Sequence, residues 1–99
     1  MWLNGAQEGA SRKMPAAKQI KAVVEIFRIH AQDFDLWATL STLEGGGYMI
    51  YGSTRFKNGG RSCFFSDGTD RAGLRSRMLS ACRPIALFYG VEIQHRKVE

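Results

Sequence analysis

Ninety-nine residues are enough for one small domain, because a chain this short cannot fill two separate cores. Hydrophobic residues at 44%, aromatic residues at 11% and charged residues at 23% are ordinary globular values, which excludes a disordered or fibrous chain. The net charge of +5 arises wholly in residues 51–99, where nine cations face four carboxylates, whereas residues 1–50 carry five of each.

Seven of those nine cations are arginine. The planar guanidinium fork suits bidentate contacts to phosphate or carboxylate, so the lopsided field points to a polyanion or an acidic protein as partner. No apolar stretch reaches the ~18 to 20 residues that a membrane-spanning helix needs. The start, Met1-Trp2-Leu3-Asn4-Gly5, lacks a charged region followed by an apolar run. A soluble, cytoplasmic protein with no membrane role is the expectation. Cys63 and Cys82 belong to no CxxC or Cys/His cluster, which argues against a metal or other cofactor and for two buried free thiols.

Residues 1–13 contain Asn4-Gly5, Gly9 and Ser11 with no apolar periodicity and are expected to be a loose arm, with a single domain over 14–99. From Pro15 onward, Ala16, Ile20, Val23, Val24, Phe27 and Ala31 fit a helical template, yet the β-branched run Val23, Val24, Ile26, Ile29 favours a strand over about 21–31. Both readings stay open. A helix here would have so broad an apolar surface that a homodimer partner would be needed to cover it. Asp33 to Glu44 is likewise either a short capped helix or a strand, closed by Gly45-Gly46-Gly47; both keep Leu36 and Leu40 buried. The triple glycine lacks the lysine and the helix start of a phosphate loop.

Two β-like runs, Tyr48 to Lys57 and Arg61 to Ser66, flank Asn58-Gly59-Gly60, which is hairpin-turn chemistry. Alternation places Tyr48, Ile50, Thr54 and Phe56 on a greasy face and Met49, Tyr51, Ser53, Arg55 and Lys57 on the other. A three-residue loop over 58–60 pairs Lys57 with Arg61 and Arg55 with Cys63. Tyr51, Phe65, Arg55, Lys57 and Arg61 then share the outer surface, whereas a two-residue turn would bring Phe64 there in place of Phe65.

Thr69 is the expected N-cap of a helix over about 69–83, with Leu74, Met78, Ala81 and Cys82 as its buried stripe and Pro84 ending or kinking it. Arg75 and Arg77 flank that stripe on opposite sides, so the cations form no single row for reading a DNA groove. The remaining segment, Ile85 to Lys97, reads as a last strand with Val91 and Ile93 facing in and a basic end at Arg96 and Lys97.

No two of His30, His95, Cys63, Cys82, Asp33, Asp35 and Tyr51 fall at a spacing that forces a nucleophile and a base together. The ending Val91-Glu92-Ile93-Gln94-His95-Arg96-Lys97 resembles, over about seven residues, the last strand of small ribosome-dependent ribonuclease toxins of the RelE/ParE superfamily. His95, beside Arg96 and Lys97, is placed as suits ribonuclease-type acid/base work. The preceding long helix departs from that family's run of consecutive strands.

The expected architecture is therefore a small α+β domain, an antiparallel sheet built from the 48–66 hairpin and a C-terminal strand with the arginine-rich helix packed on one face. The expected function is non-catalytic binding of single-stranded nucleic acid through Tyr51, Arg55, Lys57, Arg61, Phe65, Arg75, Arg96 and Lys97. A protein-binding adaptor or inhibitor that docks on an acidic partner is the second expectation, and a small ribonuclease the third.

Overall fold

The computed structural model describes residues 19–98, so the arm expected over 1–13 lies outside the described residues. The elements follow as β1 (Ile20–His30), β2 (Phe34–Leu43), β3 (Tyr48–Phe56), β4 (Arg61–Gly68), α1 (Arg71–Tyr89) and β5 (Gln94–Lys97). The five strands form one sheet in the order β4-β3-β2-β1-β5 with every neighbouring pair antiparallel. The fold is α+β: α1 packs on one face and carries the chain from the β4 edge to the β5 edge. Among the described residues no helix is long and apolar enough to cross a membrane.

Both segments that the sequence left ambiguous are strands. In β1 the alternation is plain at Phe27, Arg28, Ile29 and His30, which run buried, exposed, buried, exposed. Pairing with β2 on one side and β5 on the other outweighs the helical spacing, and the β-branched run supports it. The segment that would have needed a second copy as cover is thus an inner strand, so that argument for a homodimer falls. Between Val23 and Glu25 the ladder slips by one residue, a bulge that turns both Val24 and Glu25 into buried positions.

The β3–β4 hairpin corrects the expected register. Arg55 stands opposite Arg61, Ser53 opposite Cys63 and Tyr51 opposite Phe65. Phe56 N–H donates to Gly60 O at 2.9 Å, and Asn58 Oδ1 accepts from Gly60 N–H at 2.8 Å. The loop is therefore Lys57-Asn58-Gly59, with Gly59 at φ +89°, rather than residues 58–60. Because the ladder moves by two places, the faces are preserved, and Phe65 rather than Phe64 joins the outer surface.

Helix α1 begins at an Asp70 cap, not Thr69; its carboxylate accepts from Gly73 N–H at 3.0 Å. It runs through Pro84, where termination or a kink was expected, and ends only at Gly90 with φ +70°. Ile85 and Tyr89 pack against the core beyond the proline and Ala86 is buried in it, so apolar burial holds the last turn in helical form. The final strand is correspondingly short: Ile85 to Tyr89 is helix, and Val91 and Ile93 are half-buried before β5 starts at Gln94.

The core lies between α1 and the sheet. Leu74, Met78, Cys82 and Ala86 meet Phe27, Ile29, Leu36, Leu40, Ile50 and Phe64. Gly52 makes room for Phe64, since a Cβ there would lie 2.6 Å from Phe64 Cζ and 2.7 Å from Ala38 Cβ.

Candidate functional site

The face of the sheet turned away from α1 is where the chemistry gathers. Its positions follow from the ladder: Arg28 and His30 on β1, Asp35 and Trp37 on β2, Tyr51, Ser53 and Arg55 on β3, and Arg61, Cys63 and Phe65 on β4. Trp37 is 44% exposed, which is unusual for a tryptophan on an inner strand. Around it the sheet surface sinks into a concavity of about 350 Å³ lined by Asp35, Trp37, Tyr51, Ser53, Arg55 and Arg61 among others.

A carboxylate sits among the cations. Asp35 Oδ1 is 3.5 Å from Arg28 Nε and 3.4 Å from His30 Nδ1, and Oδ2 is 4.0 Å from Arg55 Nη2. Such loose, water-exposed pairs contribute at most about 1 kcal/mol each, so they orient the guanidiniums without locking them. No described carboxylate pairs with Arg61. The Tyr51 phenol is held above its ordinary value, first by a hydrogen bond with Cys63, then by partial burial and the charge of Cys63. Of the two thiols, Cys82 is buried, where lost hydration pushes it up to about 11, while Cys63 is exposed on this face, contrary to the expectation of two buried thiols.

The expected site residues do not all come together. Tyr51, Arg55, Arg61 and Phe65 come together on the open face. Arg96 shares that face through its pairing with Ile26, but at the opposite edge, four strand spacings or ~19 Å from β4. Lys57 lies in the hairpin loop, its Nζ 3.6 Å from Asp33 Oδ1. Lys97 falls on the α1 side of β5, opposite Glu25.

Arg75 belongs to a different structure on the α1 side. Its Nε and Nη2 donate to Oε1 and Oε2 of Glu25, both at 2.8 Å, and Arg71 Nε donates to Oε2 at 2.8 Å. His95 Nε2 completes the ring of partners at 2.6 Å from Oε1. Glu25 is fully buried. Burial alone would raise its pKa, but the hydrogen bonds from Arg75, Arg71 and His95 outweigh it and hold the carboxyl at about 2. Two of the arginines behind the polyanion expectation are thus matched internally. The imidazole of His95, the acid/base candidate, is committed to Glu25 through Nε2 and stacked on Phe27.

Sequence reasoning missed Trp37 and Arg28, and weighed His30 and Asp35 only as acid/base candidates. The signal was the alternation Asp35-Trp37-Thr39 and Arg28-His30, visible only once both segments are read as strands. No group of three or more His, Cys, Asp or Glu able to hold a metal ion occurs among the described residues. Comparison with known proteins finds no matching family model, no matching curated protein and no matching solved structure.

Proposed function

We propose that the open sheet face binds single-stranded nucleic acid with broad sequence tolerance. Trp37, Tyr51 and Phe65 offer rings for base stacking, and Arg28, Arg55 and Arg61 hold phosphates, with Arg96 extending the track across the sheet. The observation that carries this reading is Trp37, left 44% exposed in the middle of the sheet among arginines. Stacking on such a ring contributes roughly 1 to 3 kcal/mol per base whatever the base. We place the activity in the cytoplasm, where such strands are available, and assign it no catalytic step.

Fluorescence anisotropy of a labelled oligo-dT strand over a range of salt tests the proposal. Three or four phosphate contacts give a log–log slope of roughly −2 to −3 at about 0.7 per contact. Affinity that is absent at low salt, or indifferent to salt, overturns it.

A second reading, an adaptor for an acidic protein partner, draws on the far side of α1. Leu87 and Phe88 are 83% and 81% exposed there, and Arg83 lies one turn before Leu87. Adjacent large apolar side chains this exposed, beside a cation, suit an apolar anchor on an acidic segment. A partner bound this way is retained after nuclease digestion and lost on Leu87→Ser.

A further inference from the structure

Asp35 is out of place on a surface meant for phosphates. Its carboxylate sits in the concavity beside Trp37, its side chain 23% exposed, and it would repel any phosphate brought to Arg55. Loose orientation of the arginines is all that its contacts supply. The contact to Arg55 is 4.0 Å, beyond hydrogen-bond length, and the pair to Arg28 is long at 3.5 Å.

An ionised carboxylate only accepts hydrogen bonds and has about four lone-pair sites on its two oxygens. Oδ1 faces His30 and Arg28, whereas Oδ2 has no described partner closer than Arg55. The acceptor capacity that remains calls for donors on a neutral, planar group, because a ring is what the neighbouring indole can hold. Trp37 lies two residues along β2 on the same face, ~7 Å away along the strand.

The four bases differ sharply in what they offer such a group. Guanine presents N1–H and N2–H side by side on its pairing edge, so both can converge on a carboxylate whose Oδ2 is open and whose Oδ1 holds only the long contacts to His30 at 3.4 Å and Arg28 at 3.5 Å. Cytosine and adenine set their single amino group next to a ring acceptor that a carboxylate repels, and thymine and uracil set one imino hydrogen between two carbonyls. Guanine also carries O6 and N7, the acceptors that arginine reads best.

We infer that the concavity at Asp35 and Trp37 is a guanine-selecting subsite, Asp35 accepting from N1–H and N2–H of one base in an otherwise sequence-tolerant strand. This rests on the nucleic-acid reading of the open face. Asp35 is then a specificity residue, and its charge is tolerated because the base inserted there brings donors rather than phosphate.

The test uses the full chain and one set of labelled single strands: oligo-dT, and the same strand with a single central dG, deoxyinosine, dA or dC. The dG strand is expected to bind roughly tenfold tighter than oligo-dT, within what a bidentate pair supplies. Deoxyinosine, which lacks only the N2 amino group, loses most of that advantage. D35N binds the dG and dT strands alike.

Equal binding of dG, inosine and dT strands by the unaltered chain overturns the subsite while leaving the broader reading intact. A dG preference that survives in D35N, or a D35N variant weakened equally on every strand, overturns it too, because Asp35 would then only position its arginines. If no strand binds, both readings fall together. The inosine arm needs no variant, so its outcome does not depend on how D35N folds.

Discussion

His95 lies flat on Phe27, ring centroids 4.6 Å apart and planes 1° from parallel, while its Nε2 stands 2.6 Å from Glu25 Oε1. One imidazole therefore fastens β5 to a core ring of β1 and to the carboxylate that α1 grips through Arg71 and Arg75. Replacing Glu25 by Gln removes the carboxylate charge that both guanidiniums share in a part-buried place. Breaking a buried pair from one side costs about 3 to 5 kcal/mol, which is a large share of a small domain's stability. Glu25→Gln should lower the Tm by roughly 10 °C or more in a calorimetric scan; a change of under two or three degrees would contradict the role given to this cluster.

The same carboxylate sets the response to acid. Its folded pKa, about 2, is below the usual 4.5, so the ionised form is favoured by folding. The stabilisation is fully present above pH ~5 and is lost as pH falls through 2, a difference on the order of 3 kcal/mol at most. Urea midpoints measured from pH 6 down to 2 should fall steadily, and Glu25→Gln should flatten most of that dependence.

Gly52 is a packing requirement on the α1 side. A methyl group there meets Phe64 Cζ at 2.6 Å, Ala38 Cβ at 2.7 Å and Trp37 O at 2.9 Å. The ring tip can move aside, but the Ala38 methyl and the backbone carbonyl cannot. Gly52→Ala should destabilise by about 1 to 3 kcal/mol in denaturant unfolding. Combining it with Phe64→Leu should relieve the ring contact only, giving a coupled and incomplete rescue.

Pro84 works in the other direction. It deprives the α1 interior of one backbone hydrogen bond, while Ile85 and Tyr89 pack on the core and Ala86 is buried in it. Pro84→Ala restores the donor at an exposed position and should stabilise by about 1 to 3 kcal/mol. Loss of stability would mean that the ring packs more than its exposure suggests.

On the open face, stability and binding should separate. Trp37→Ala removes a ring that is not in the core, so the fold should change little while oligo-dT affinity drops by about 1 to 3 kcal/mol. Arg61→Ala should reduce the salt slope by about 0.7 and weaken all strands alike.

What could be read from the chain alone tracks where local chemistry decides. Asn58-Gly59-Gly60 announced the β3–β4 hairpin, and the stripe Leu74, Met78, Cys82 announced α1, because turn geometry and helical period are local properties. The register slipped by two because Gly59, not Gly60, takes the positive φ, and glycine chemistry alone does not choose between them. For β1 and β2 the spacing fits helix and strand equally, and only pairing with β3 and β5 decides. The exposure of Trp37 followed from that decision and was hidden with it. The Glu25 cluster joins residues up to 70 positions apart through a bulge, and no short-range pattern encodes it.

The way β5 is attached has a practical consequence. All four of its residues are exposed, so it lacks apolar anchorage of its own and depends on the β1 ladder, the Phe27 stack and the Glu25 carboxylate. Acidification should peel this rim strand away while the interior beneath the helix is still intact. The bared flank of β1 would then be a sticky template for neighbouring molecules. The positive charge that the chain gains as its nine carboxylates protonate would oppose that association, so the unpaired flank should show first as faster amide exchange in β1 and β5.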